Sequence, residues 1–221
     1  MNIILSARIS ILIIFFIITI AGCQNVYYTA MEKIGVQKRD IMVNRVESAQ
    51  TAQAEAKEQF RSALEKFSDL LNFQGEKLQD IYAELDSELR KSELKAEAVR
   101  KHISDVKDVA DALFDEWKME LEQFSNQRLR QASERKLRET KQKYRRMITQ
   151  MQKAEQSIDP VLTAFRDQVL FLKHNLNARA VASMQKEVKY VKNDIAVLID
   201  EMEKSIKEAD LFVTSLSDES S

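Results

Sequence analysis

The chain is poor in the residues that cross-link, break and catalyse. Its 221 residues include one cysteine, one proline, three glycines, two histidines and one tryptophan. A single cysteine excludes an intramolecular disulfide, so packing alone must hold the fold. Strands need turns, and turns favour Gly, Pro, Asn and Asp. One proline and three glycines in a chain of this length therefore argue against a sheet protein. No two glycines have the spacing of a Gly-x-x-x-x-Gly-Lys phosphate loop or a Gly-x-Ser-x-Gly nucleophile elbow. His102 and His174 each lack a Glu three residues earlier, as the Glu-x-x-His di-iron pattern requires, and neither lies in a zinc-type cluster. Both read as ordinary polar residues, and Trp117 reads as core. No catalytic residue, metal or cofactor is expected, and the chain reads as not an enzyme. An excess of either charge is also missing. Lys and Arg total 34 against 35 Asp and Glu, which gives no global attraction to nucleic acid.

One long apolar run is present, at the N-terminus. Ile9 to Gly22 follows Arg8 and is 14 residues long, short of the roughly 20 that span a bilayer. A positive charge, an apolar stretch and the small residues Ala21 and Gly22 form the pattern of a secretory signal. Ile20-Ala21-Gly22-Cys23 resembles a bacterial lipobox, which implies removal of residues 1–22 and lipidation of Cys23. Small side chains admit the protease, and the thiol accepts the diacylglycerol before the new amino terminus is acylated. Three acyl chains exceed the roughly two signals needed for stable attachment. By the same resemblance to Gram-negative lipoproteins, Gln24 implies export to the outer membrane, facing the periplasm. Residues 23–26 then form a tether, and 27–221 a single long-helix domain.

Apolar spacing gives that domain its class. Met184, Val188, Val191, Ile195, Leu198 and Met202 continue a stripe that starts at Val181 and runs to Leu216 in alternating steps of three and four. A second stripe runs from Tyr144 through Met147, Met151, Ala154, Ile158 and Val161 to Leu172. Pro160 interrupts it without changing its phase, which predicts a kink, with Asp159 as an N-cap, and no reversal. A third runs from Leu78 through Leu85, Val99, Ile103, Val106, Leu113 and Trp117 to Phe124, interrupted near Leu121. A fourth runs from Met42 to Leu70 and is weakest at Gln53, where it shifts to Ala52. Breaks at Gln74-Gly75, Ser125-Asn126 and 174–177 divide the chain into helices at about 27–73, 76–124, 127–174 and 177–217. Gly75 suits a C-cap, and Asn177 an N-cap with Leu176 as its staple. Each of the first three helices is close to 48 residues, or about 72 Å. Matched lengths and short loops predict an all-α, elongated, antiparallel four-helix bundle of coiled-coil-like hairpins. The alternative is a three-helix, crescent-like dimer.

Two features carry the functional expectation. Arg128, Arg130, Arg135, Lys136, Arg138, Lys141, Lys143, Arg145 and Arg146 are opposed locally only by Glu134 and Glu139. They suit anionic lipid heads or peptidoglycan. The favoured reading is different: a turn at 125–126 sets them against the acidic stretch 105–122, so that acid faces base across the hairpin. Near the tether, Tyr27, Met31, Ile34 and Ile41 share a face. It reads either as a juxtamembrane segment, with Tyr27 and Tyr28 at headgroup level, or as an irregular end of the first helix.

YYTAMEKIGVQKRD at 27–40, ALFDEW at 112–117 and DQVLFLKHNLNARA at 167–180 resemble a family of bacterial lipoproteins that carry a domain of unknown function. The resemblance spans nearly the whole mature chain. It implies an all-helical fold and an envelope location, and supplies no activity. Some members carry labels suggesting nucleotide-driven DNA repair, against which the missing phosphate loop and the export signal both argue. The expectation is a lipid-anchored structural or interaction scaffold. Its partners would be the membrane through its lipid, an envelope protein or peptidoglycan, with a second copy as an open alternative and no nucleic acid. The competing reading is a membrane-binding or remodelling module that uses 128–146.

Overall fold

The structure is a computed structural model and describes residues 37–69, 78–175 and 178–217. They form five helices: α1 (Lys38–Asp69), α2 (Leu78–Leu121), α3 (Gln127–Gln156), α4 (Ile158–His174) and α5 (Ala178–Ser217). No strand occurs among the described residues. Only Ser157 separates α3 from α4, so the five helices make four rods. α1 packs on α2 and α5, and the α3–α4 rod closes the square against the same two.

Side-chain bonds give the direction of each rod. Lys38 Nζ donates to Glu116 at 2.9 Å, Lys95 to Glu55 at 2.7 Å and Gln59 to Glu88 at 2.7 Å, so α1 and α2 are antiparallel. Trp117 meets Ser133, while Arg166 meets Glu93, which sets α2 against the third rod in the opposite sense. Gln50 Nε2 reaches the Ile206 carbonyl and Lys57 reaches Glu203, which returns α5 alongside α1. This is the antiparallel four-helix bundle expected from the spacing, and the three-helix crescent is not formed.

The heptad of α5 is observed almost residue for residue. Met184, Val188, Val191, Ile195, Leu198, Met202, Ser205, Ala209, Phe212 and Leu216 are all buried. Each large member contributes about 1.5–3 kcal/mol by leaving water. The caps proposed at Gly75 and Asn177, and the staple at Leu176, lie outside the described residues.

Three local expectations need correction. In α1 the stripe does not step from Gln53 to Ala52; both are buried, with Gln53 fully so. α1 has neighbours on two sides, α2 and α5, so it needs a broad buried face, and the same width buries Ile41 beside Met42. In α2, Leu121 is the last buried residue and Phe124 lies past the helix end in the turn. Val109 and Phe114 take core positions, and Leu113 and Trp117 lie at the margin. In the third rod the break falls at Ser157, and Asp159 is not the N-cap. Pro160 occupies the first turn of α4, where a missing N–H is tolerated, but its ring crowds the Gln156 carbonyl four residues back. Ser157 keeps helical dihedrals (φ −74°, ψ −10°), so the rod continues in direction. Asp159 instead pairs with Arg100 of α2.

A candidate interaction face on α3

Asn126 starts the helix that carries the basic run. Its side-chain oxygen accepts from the N–H groups of Arg128 at 3.0 Å and Leu129 at 3.3 Å, satisfying two donors that the first turn leaves without helical partners. Leu137, Thr140, Met147, Ile148 and Met151 then turn into the bundle. Helical geometry puts Arg135, Arg138, Gln142, Arg145 and Thr149 on the outward face, and all five are exposed. Two grooves follow that face. One is lined by Arg135, Arg138, Glu139, Lys141, Gln142 and Arg145, and the next by Gln142, Arg145, Arg146, Thr149, Gln150 and Glu208.

The favoured sequence reading had these cations neutralised across the hairpin. Among the described residues, Asp108 and Lys136 aside, no ion pair crosses between 105–122 and 128–146. Three acids of this stretch of α2 are engaged elsewhere. Glu116 pairs with Lys38 of α1, Asp105 with Lys101 and with Arg45 of α1, and Asp115 with Lys118 of its own helix. Arg130 pairs within α3, with Glu134. Arg128, Arg135, Arg138, Lys143, Arg145 and Arg146 make no ion pair among the described residues.

What joins the hairpin is mostly uncharged. Trp117 Nε1 donates to Ser133 Oγ at 2.8 Å, and Phe114 meets Tyr144 edge-on, 5.4 Å between ring centres. Lys141 folds its ammonium over the Phe114 ring, 5.2 Å from the centroid. Partial burial and the neighbouring Lys118 hold the Lys141 ammonium below the usual lysine range, against the pull of Asp115. Lys141 is thus partly withdrawn from the face that its sequence neighbours form. Burial, with Asp111 and Asp108 nearby, pushes the Tyr144 phenol well above its ordinary range, so it stays protonated at all relevant pH.

Elsewhere the polar groups are structural in placement. His102 stands 3.8 Å from Asp105, and His174 is exposed in the last turn of α4. No group of three or more His, Cys, Asp or Glu able to hold a metal occurs among the described residues. Cys23, Tyr27, Met31 and Ile34 lie outside them. No described helix is long and apolar enough to cross a membrane.

A family model described as a protein of unknown function, DUF2959, matches residues 27–216. The chain belongs to this family. The DUF2959 match takes in α1 to α4 and all but the last residue of α5, together with the whole basic run, and begins four residues after Cys23. No curated protein and no solved structure matches the chain.

Proposed function

We propose that this DUF2959 protein is a non-enzymatic, lipid-anchored helical rod of the bacterial envelope that offers the outward face of α3 to an anionic envelope partner. The observation that supports this reading is the open charge of that face: six cations without ion pairs among the described residues, next to a hairpin that does not neutralise them. Unpaired surface cations raise local potential and speed encounter with polyanions. The lipobox-like Ile20-Ala21-Gly22-Cys23 supports tethering at the outer membrane, facing the periplasm. An acidic envelope protein and peptidoglycan both fit the face. The same open charge favours a second reading, in which Arg128–Arg146 binds anionic lipid.

The tether is tested by fractionation. The wild-type protein should partition with membranes and carry acyl mass on Cys23, and Cys23→Ser should lose both. Equal partitioning of the two, or a bare thiol on unprocessed protein, removes the anchored-rod reading. In-cell crosslinking from the α3 face then separates a protein or peptidoglycan partner from lipid.

A further inference from the structure

We propose that the α2–α3 end of the bundle is the end that meets the lipid surface, with Met119, Phe124 and Leu129 entering the headgroup layer. The inference rests on the tethered reading of Cys23 and adds which part of the rod touches the membrane.

The first observation is apolar exposure at the tip. Met119 is 62 % exposed, Phe124 38 % and Leu129 56 %, all within one tight turn and its flanks. Single exposed hydrophobes are ordinary, but three around one helical turn-around form an apolar tip. The turn is a firm one. Glu122 N–H donates to the Met119 carbonyl and Gln123 N–H to that of Glu120, while the Asn126 cap holds the other side. Lys118, Arg128 and Arg130 ring the tip, with Glu120 and Glu122 among them. Long basic side chains can keep their charge among phosphates while their stems follow the apolar residues inward.

The second observation is where the tethered chain enters the bundle. Lys38, at the start of α1, is bonded to Glu116, one turn before the end of α2. Residues 24–37 separate it from Cys23, a reach of about 50 Å at full extension. The opposite end of α2, at Leu78, lies about 57 Å along the helix from Glu116. An upright rod can therefore approach its own lipid only with the α2–α3 end. The occupant is thus the surface that holds the anchor, and the cations on α3 suit an anionic one.

Trp117 supplies the test, because it is the chain's only tryptophan and its hydrogen bond to Ser133 fixes it near the tip. The full mature lipoprotein is reconstituted into phosphatidylethanolamine–phosphatidylglycerol vesicles and floated. Brominated lipid should quench Trp117 by about twofold, as for an aromatic near the interface. A polarity-sensitive label on Phe124→Cys should shift to the blue, and one on Leu170→Cys, an exposed position at the far end, should not. Met119→Ser with Leu129→Ser should keep the helical circular dichroism and lose the quenching. Protein that fails to float removes the tethered reading, and this inference with it. Protein that floats with Trp117 unquenched, or with position 170 shielded as much as position 124, overturns the inference and leaves the tether standing.

Discussion

Gln53 is an amide in the middle of an apolar core. The bonds of Gln50 to Ile206 and of Lys57 to Glu203 place it level with Ser205, which is also fully buried. Neither atom of the Gln53 amide, nor the Ser205 hydroxyl, has a hydrogen-bond partner among the described residues. A buried polar group without a partner costs about 1–3 kcal/mol, whereas an apolar side chain of the same shape is neutral or better. Gln53→Met keeps the length of the side chain and replaces the branched amide with an unbranched thioether. It should stabilise the bundle by about 1 kcal/mol or more, and raise Tm by about 2–4 °C per kcal/mol in a protein of this size. A thermal melt by circular dichroism checks it. A fall in Tm would mean that the amide is satisfied in solution and that the layer is a polar network. Glu201 shows a half-satisfied counterpart, with Oε1 bonded and Oε2 buried without a partner among the described residues. It is buried, and hydrogen bonds from Lys153, then Lys204, hold its carboxyl below the usual range against the upward push of burial.

At the scale of the element, legibility followed how closely the buried face of a helix keeps to a single seam. The α5 stripe was readable because alternating steps of three and four describe its buried apolar face, from Met184 to Leu216. α2 lies against α1, α3 and α4, so its buried face is wider than one seam, and Val109 and Phe114 fall outside a strict count. The kink near Pro160 was readable in kind but not in place. Proline acts through the carbonyl four residues back, so the break appears at Ser157. The break before α3 was read from Ser125-Asn126, and there the cap itself is testable. Asn126→Ala removes the acceptor for the Arg128 and Leu129 N–H groups and should cost about 1 kcal/mol. Asn126→Asp should retain most of the stability, since a carboxylate caps at least as well at a helix N-terminus. Urea titrations with unchanged slope would report both values. An alanine variant as stable as the wild type would show that the hairpin contacts of Trp117 and Phe114, not the cap, set where α3 begins.

The whole molecule is close to neutral, at a net charge of −1, yet its charge is unevenly placed. The nine cations of 128–146 were plain in the sequence, and the openness of six of them was not. A two-helix hairpin offers the acids of α2 only to α3. In the bundle α1 lies on α2 as well, and Lys38 and Arg45 take Glu116 and Asp105. The result is a row of like charges on α3 whose mutual repulsion is part of the folded state and is screened by salt. Arg138→Glu together with Arg145→Glu should therefore be more stable than the wild type at low ionic strength, by about 0.5–1 kcal/mol. The gap should close as salt rises from about 10 mM, where the Debye length is about 30 Å, to about 1 M, where it is about 3 Å. Comparing the two proteins at each salt concentration cancels the screening of the other ion pairs, such as Lys95 with Glu55. The same variant should bind anionic partners more weakly. A face kept against its own repulsion, and lost to its partner when that repulsion is relieved, is one held open for contact. A variant less stable than the wild type at low salt would instead place Arg138 and Arg145 in favourable pairs, and α3 would then be an ordinary solvated surface.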